Sequence, residues 1–449
     1  MKHVLPSTST SPRPSACPGL SRIVPAQDGG ICRIKLPCGR LTSVQAHAVA
    51  EAATAHASGV IETTNRANLQ IRGVRPGAEA ALVDQLLAAD LGPSTPGADD
   101  VRNLMVSPAA GLDPAAVVDI SSLADDLLAL LQNSPRFHAL SPKFALLLDG
   151  GEQLAMLEHP HDIWLSVMVG GPTPQIAFGL AGCPPQRADE PDALAAVRIC
   201  QTPQLVEALL DLFLELATPE QTRMRHLLEA HPAGDLLMRL QARLDFPLLP
   251  AGHWRRPSPP AGLHIGTQPQ RQAGLRMVGG VPAVGRLTAE QLARLADLAE
   301  TRGDASLRLT PWQSVLLPNI PEQAIGLVLQ QLEDLGLAID ARSPQAWLIA
   351  CTGSTGCAKG LADTKGDALW LASHLGPLPG LHLSGCPRSC AAAHVAPLTL
   401  LAVGPGRYDL YQRETGDNGF GRLLARNLTI QEAAERLASS PDTWSPTHA

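Results

Sequence analysis

The sequence predicts an α+β protein made by duplication, with two small α/β half-domains related by a pseudo-twofold repeat and two further α/β segments. Three observations lead there. One segment recurs at a fixed offset of 246 residues, each copy carries the same strand and helix order, and four of the nine cysteines fall within 40 residues after the second copy.

The repeat is the organising signal. Gly39-Arg40-Leu41-Thr42-Ser43-Val44-Gln45 recurs as Gly285-Arg286-Leu287-Thr288-Ala289-Glu290-Gln291. Without a gap, the same offset carries Thr64 to Thr310, Leu69 to Val315, Ile71 to Leu317 and Val74 to Ile320. Each copy starts a helix with capping-box spacing, Thr42 with Gln45 and Thr288 with Gln291, in which hydroxyl and amide satisfy orphan backbone donors. A short strand is predicted before each helix (Ile31–Leu36 and Leu275–Val278) and an extended apolar segment after it (Leu69–Val74 and Val315–Ile320). A second amphipathic helix then spans Ala78–Leu91 or Pro321–Leu335. Strand, helix, strand, helix resembles half of a ferredoxin-like fold.

Between the copies, strands are predicted near Phe144–Leu148 and Ile163–Val169, and helices over Asp192–Leu216 and Pro219–Leu244. The Pro-rich run His253–Gly262 reads as a linker. Beyond Asn427 one helix and a frayed end are expected.

Composition bounds the function. The chain has 449 residues, 35 basic and 42 acidic, for a net charge of −7, whereas a dedicated nucleic-acid binder is normally basic. At 45% hydrophobic and 17% charged it belongs to the globular class, and with 3% aromatics its cores rest on Leu, Val, Ile and Ala. An odd cysteine count over a long chain suits a reducing cytoplasm better than a secreted disulfide scaffold. The N-terminus lacks the apolar core of a signal peptide. The most apolar stretch, Leu205–Ala217, is interrupted by Glu207, Asp211 and Glu215, so no membrane span is expected.

The four gathered cysteines lie in Cys351-Thr-Gly-Ser-Thr-Gly-Cys357 and Cys386-Pro-Arg-Ser-Cys390, each pair in a loop after an apolar strand (Trp347–Ala350 and Leu381–Leu383). Glycines let the backbone approach a bulky inorganic group, and loop N–H groups favour an anionic one. The i, i+4 spacing of Cys386 and Cys390 would place both sulfurs on one face if a helix starts there. Three readings compete: a [4Fe–4S] cluster held by four thiolates, a structural zinc site, and ordinary free cysteines. Five residues between Cys351 and Cys357 is long for zinc.

With C-x5-C and C-x3-C in these surroundings, the sequence resembles the sirohaem nitrite and sulfite reductase superfamily. Thr63-Thr-Asn-Arg66-Ala-Asn-Leu-Gln-Ile-Arg72-Gly73 is similar to that family's tetrapyrrole-cradling segment, and Leu140-Ser-Pro-Lys143-Phe144 to its second basic motif. The resemblance runs over about residues 16–413 and implies a duplicated nitrite/sulfite reductase-like fold. It also implies a [4Fe–4S] cluster on Cys351, Cys357, Cys386 and Cys390. The division is then a disordered lead-in (1–16), ferredoxin-like half-domain 1 (17–98), an α/β domain without cluster (99–252), and the linker (253–262). Half-domain 2 (263–340), the cluster-binding domain (341–428) and a C-terminal helix and tail (429–449) complete it.

Within the superfamily, the chain length, Cys17-Pro-Gly-Leu20 and Gly406-Arg-Tyr-Asp-Leu410 resemble the precorrin-3B synthase branch. Ala145 stands where the reductases carry a second Lys, and Arg388 where Asn is common. This branch implies an O2-dependent oxidation of precorrin-3A in cobalamin biosynthesis, hydroxylating a meso carbon and closing a γ-lactone. It implies the cluster, a mononuclear iron and an external electron donor. A sirohaem-dependent nitrite or sulfite reductase is the competing enzyme; an iron–sulfur electron carrier and a structural zinc module are the non-enzyme alternatives. His138, His382 and His394 lie near the motifs and read as structural histidines.

A polycarboxylate substrate needs cations. Residues 22–75 carry seven basic and three acidic side chains, a local +4, and residues 341–413 six and three, a local +3. Arg33 and Lys35 alternate onto one strand face. Arg66 aligns with Trp312 in the second copy, so the fold does not require a cation there. Arg33, Lys35, Arg66, Arg72 and Lys143 are the candidate carboxylate contacts.

Overall fold

The computed structural model describes residues 17–169, 173–378, 380–392, 396–414 and 417–439; the expected lead-in and the last ten residues lie outside these. The first half-domain runs β1 (Val24–Ala26), β2 (Gly29–Ile34), β3 (Arg40–Thr42), α1 (Ser43–His56), β4 (Val60–Thr63), β5 (Leu69–Val74) and α2 (Glu79–Ala88). The middle segment holds β6 (Leu104–Val106), α3 (Ser121–Asn133), β7 (Leu146–Asp149), β8 (His161–Met168), β9 (Gln175–Gly182), β10 (Ala195–Arg198), α4 (Thr202–Leu216), α5 (Met224–Ala230) and α6 (Ala233–Gln241). The second half-domain follows as β11 (Gly266–Pro269), β12 (Leu275–Gly280), β13 (Arg286–Thr288), α7 (Ala289–Arg302), β14 (Ser306–Leu309), β15 (Val315–Pro321) and α8 (Ile325–Asp334). The last segment comprises β16 (Ile349–Ala350), α9 (Thr364–Ala372), β17 (Leu381–Ser384), β18 (Leu398–Gly404), β19 (Arg407–Gln412), β20 (Arg422–Leu428) and α10 (Ile430–Ala438).

The two half-domains are interlocked. Their sheets run β1-β2-β5-β4-β13 and β11-β12-β15-β14-β3, so each borrows its last strand from the other copy. In the first, Arg286 of β13 stands opposite Glu62 of β4; in the second, Arg40 of β3 stands opposite Arg308 of β14. The duplication reaches into the backbone. Positive φ occurs at Cys38 and Val284, at Ala67 and Gln313, at Gly73 and Asn319, and at Asp90 and Gly336, every pair 246 residues apart. Both capping boxes form, with Gln45 N donating to Thr42 Oγ1 at 3.2 Å and Gln291 N to Thr288 Oγ1 at 3.1 Å. The same glutamines tie each helix to the end of its neighbour, donating to the carbonyls of Ala89 and Leu335. Small residues on α1 (Ala46, Val49, Ala50, Ala53) let it pack closely on α7 (Leu292, Leu295, Ala296, Ala299), and both copies share one core.

The other two segments repeat one topology. Their sheets run β6 to β10 and β16 to β20 in sequence order, in each case two parallel pairings followed by two antiparallel ones.

Several elements differ from the sequence expectation. The stretch expected as a helix from Asp192 opens instead with β10, because Ala195, Ala196 and Val197 are buried against β9; the helix starts only at Thr202. Pro232 splits the next expected helix into α5 and α6. Helix α4 turns Leu205, Val206, Leu209 and Phe213 into the core while Arg136 binds Glu207 and Asp211 outside, an amphipathic pattern. Among the described residues, no helix is long and apolar enough to cross a membrane.

The stretch 253–262 is not a free linker. Arg256 is buried and grips Asp149 at the end of β7 with two bonds, 2.7 and 3.0 Å, and also donates to the Glu152 carbonyl. Beside it, Glu152 is fully buried, with one carboxyl oxygen accepting from Gly150 N at 2.9 Å and the other without a hydrogen-bond partner. Burial, reinforced by Asp149, pushes its carboxyl up to about 8. A raised folded-state value contributes stability that is lost as pH rises from the unfolded value through about 8. Glu152→Gln, which mimics the protonated acid, is therefore expected to flatten the fall in urea midpoint between pH 5 and 8; an unchanged slope would reject the assignment.

Candidate functional site

Parallel strands end on the same edge of a sheet, and β16 and β17 are parallel neighbours. The cysteine loops follow their C-terminal ends, so the fold brings the two loops together. Cys351 N donates to the Leu383 carbonyl at 3.2 Å, and Gly385 N donates to Cys351 Sγ at 3.1 Å. Burial raises the Cys390 thiol, and the nearby Cys386, Cys351 and Cys357 raise it further, so all four sulfurs are electrostatic neighbours. Among the described residues, no three His, Cys, Asp or Glu side chains converge on a single-ion position. Four neighbouring thiols could hold a polynuclear cluster, which spreads its ligands more widely than one tetrahedral zinc with sulfurs at ~2.3 Å.

Glycine packing shapes this space. A Cβ on Gly360 would lie 2.4 Å from the Gly353 carbonyl carbon, and one on Gly353, at φ 71°, 2.6 Å from the Ala362 carbonyl oxygen. No helix starts at Cys386, so the condition for placing both sulfurs on one helix face is not met. The chain turns instead, with Ser389 at φ 50°, and the spacing of Cys386 and Cys390 is set by that turn.

The first half-domain clamps both loops. Arg72 donates to the Gly356 carbonyl at 3.1 Å, and the Gln27 amide nitrogen to the carbonyls of Ser354 at 2.7 Å and Cys357 at 3.2 Å. Asn65 donates to the carbonyls of Cys390 at 3.3 Å and Ala391 at 3.1 Å. Beneath lies a buried charge cluster: Glu62 with Arg286 at 2.9 Å, and with Arg72 and Lys365 at 3.6 Å each. Burial alone would raise the Glu62 carboxyl, but Lys365, Arg72 and Arg286 together hold it below its ordinary value.

The candidate cations divide. Arg72 is committed inside the chain, its fork filled by both oxygens of Asp28 at 2.8 Å, so it supports the cysteine loop rather than offering a free guanidinium. Arg33 and Lys35 do share a face, although β2 ends at Ile34. Arg33 is held by the Gln70 amide oxygen at 3.0 and 2.8 Å and feels the charge of Cys390, whereas Lys35 donates to the Asp100 carbonyl at 3.0 Å. Burial pushes the Lys35 ammonium down to about 7. Lys143 is exposed, on a loop clasped by Asn103, whose amide also reaches the Asp100 carbonyl. Arg66 has no ion-pair partner among the described residues; burial, then Arg223, pushes its guanidinium down to about 10, with Arg33 also near. A half-buried guanidinium without an ion-pair partner, beside two others, could take an incoming anion.

Three neighbours of Arg66 had no signal in the sequence. Arg223 is fixed by Asp162 at 2.9 and 3.0 Å, and the buried His161 is pushed down to about 3 by burial and then by Arg66, which keeps it neutral. His138 Nε2 donates to the Gln132 carbonyl at 2.9 Å, and His382 is buried within β17, both structural placements; His394 lies outside the described residues. In the second copy Trp312, the counterpart of Arg66, stacks on His264 at 4.9 Å.

Comparison with known proteins agrees with this geometry. The nitrite/sulfite reductase ferredoxin-like half domain matches residues 24–89 and 268–335, and the nitrite and sulphite reductase 4Fe-4S domain matches residues 97–246. Ferredoxin–nitrite reductase of Synechococcus elongatus is 30% identical over 404 residues, covering 83% of this chain and 76% of its own length. The chain belongs to the nitrite/sulfite reductase family. The 4Fe-4S match falls on the middle segment, whose only cysteines are Cys183 and Cys200, so it marks the shared topology; the four gathered cysteines sit in the second version of that sheet. Among further family members, the chloroplastic ferredoxin–nitrite reductase of Zea mays is 30% identical, with 81% of this chain and 68% of that protein covered. A precorrin-3B synthase from Sinorhizobium sp is 27% identical over 435 residues, with 93% and 89% covered. The structure of Mycobacterium tuberculosis NirA superposes with a TM-score of 0.77 at 21% identity over 94% of this chain and 81% of that one, a likeness of fold.

Proposed function

We propose that this chain is an O2-dependent monooxygenase that converts precorrin-3A to precorrin-3B, the branch of the family that serves cobalamin biosynthesis. The observation that carries the reading is correspondence of length. The Sinorhizobium synthase matches over 93% of this chain and 89% of its own, whereas the chain spans between 64% and 76% of the first four nitrite reductases it matches. In the reaction one oxygen atom of O2 enters the product and the other leaves as water, with two electrons and two protons supplied by an external donor.

The residues fit a [4Fe–4S] cluster on Cys351, Cys357, Cys386 and Cys390, which when bound passes electrons singly. The chain's own groups do the rest. Arg66 and Arg33 take substrate carboxylates on the side facing Cys390, and Lys143 extends that basic surface, whereas the buried Lys35 is committed to the Asp100 carbonyl. Asn65, Gln27 and Arg72 hold the loops against the half-domain that carries these cations, so substrate and electron source keep one register. The position after Lys143-Phe144 is filled by the buried Ala145, whose N–H donates to Asp162 at 2.8 Å. A site with one cation fewer suits a large polycarboxylate held at its rim better than a small oxyanion at an iron.

A sirohaem-dependent nitrite reductase is the second reading, favoured by the 30% identity to those enzymes. Anaerobic purification, an absorption spectrum and a turnover assay separate the two. A broad iron–sulfur shoulder without sirohaem bands, with O2-dependent consumption of precorrin-3A, is expected; strong sirohaem bands with nitrite turnover would overturn the proposal. Arg66→Ala should raise the KM for precorrin-3A about tenfold or more while leaving the cluster spectrum intact.

A further inference from the structure

The 246-residue repeat allows the two half-domain sheets to be compared position by position, and at one place their charge is reversed. In the first sheet the cross-strand pair is Arg286 and Glu62, an ion pair at 2.9 Å. The same positions in the second sheet are Arg40 and Arg308, two guanidiniums directly opposite each other. Like charges facing across a ladder destabilise it unless something lies between them.

No carboxylate of the described residues does. Asp119, Asp125 and Asp304 are near enough to influence Arg40, Cys38 and Arg308, yet none comes within ion-pair distance of either guanidinium. Asp119 and Asp304 are already occupied, by Ser121 and by Ser306 and Asn319. Nε of Arg40, and Nε and Nη1 of Arg308, are sealed from solvent without a hydrogen-bond partner. Buried donors left unbonded are costly, and charged ones most of all.

Both arginines line one open cavity of about 250 Å³, which Pro37, Thr42, Leu91, Ser306 and the carboxylate-bearing Asp90 also border; Asp90 makes no ion pair with either guanidinium among the described residues. Lys35 also borders it, but its ammonium is turned to the Asp100 carbonyl. The cavity's lining includes none of the four gathered cysteines and, of the candidate carboxylate contacts, Lys35 but not Arg33, Arg66, Arg72 or Lys143.

From this geometry we infer that the Arg40–Arg308 cavity binds an oxyanion, a carboxylate or phosphate group that bridges the two guanidiniums and stands where Glu62 stands in the other copy. The planar fork of arginine suits such a group, which accepts from two donors at once. A ligand there braces the strand exchange between β3 and β14 and acts on the stability of the interlocked halves. It makes no contact with the reacting groups.

The test uses the full chain, with its cluster, in chloride buffer of constant ionic strength. Unfolding temperature is followed while inorganic phosphate or succinate is titrated in, the two arms distinguishing a phosphate from a carboxylate ligand. A saturable rise is expected for at least one of them in the wild type. Arg308→Gln should weaken the apparent affinity about tenfold or more. Arg308→Glu, which recreates the ion pair of the first sheet, should abolish the response and raise the unfolding temperature without ligand. Absence of a saturable effect of either anion in the wild type would overturn the inference. So would an undiminished response in both variants. Should Arg308→Glu not fold, the Gln variant alone decides.

Discussion

Replacing Cys386 with Ser is expected to abolish the iron–sulfur absorption and all turnover while leaving the fold in place. Cys386 comes two residues after the end of β17, and its loop is held by hydrogen bonds that do not involve its sulfur: Gly385 N to Cys351 Sγ, Leu361 N to the Gly385 carbonyl, and Ser384 Oγ to the Cys386 carbonyl. Far-UV circular dichroism should therefore match the wild type, and iron and acid-labile sulfide should be lost. Cys200, exposed at the end of β10, supplies the control, since its Ser variant should retain both. Iron and absorption persisting in the Cys386 variant would show that this thiol is not a ligand.

The second large effect is expected at Glu62. Glu62→Gln leaves Lys365, Arg72 and Arg286 without the carboxylate on which they converge, and should cost about 3–5 kcal/mol in urea unfolding, the range for removing one partner of a buried ion pair. The loss should depend on pH in a defined direction. Because the carboxyl is held below its ordinary value of 4.5, its contribution is complete above that value and disappears as pH falls through the folded-state pKa. Wild type and variant should therefore differ most at neutral pH and converge on acidification. A gap that stays constant from pH 7 to below 4, or a variant as stable as wild type, would sink this account. The loop carbonyl of Gly356 depends on Arg72, so the variant should also hold its cluster less tightly.

What was legible in the sequence follows from the range of each interaction. The half-domains were visible because a capping box and a period-two strand are local patterns, and duplication printed them twice. The cysteine loops were visible because their residue types are rare and closely spaced. The strand exchange was not, since β3 and β13 are three residues long and each pairs with a strand well over 200 residues away. Ala195-Ala196-Val197 reads equally well as helix or strand, and only pairing with β9 decides it. Glu62 counted in the sequence merely as an acid offsetting basic neighbours, whereas its depth makes it the anchor of a charge cluster. The reverse holds for Arg72, whose motif position suggested a ligand contact but whose fork is filled by Asp28. Arg66, whose counterpart is Trp312, remains a proposed ligand contact: a side chain that differs between the copies is not required by the fold they share.

The exchanged strands also set a schedule for synthesis. When β4 leaves the ribosome its partner β13 is still about 225 residues downstream, which at ~5–20 residues per second is a wait of tens of seconds. Throughout that interval the nascent chain presents an open edge on β4, and β3 has nowhere to dock until β14 is made. A pairing so distant in sequence slows folding, and an exposed edge invites pairing with other chains. The middle segment, which makes its own sheet without borrowing, can close during the delay. Neither half-domain expressed by itself would complete its sheet, and two copies of either could do so only by trading strands with each other.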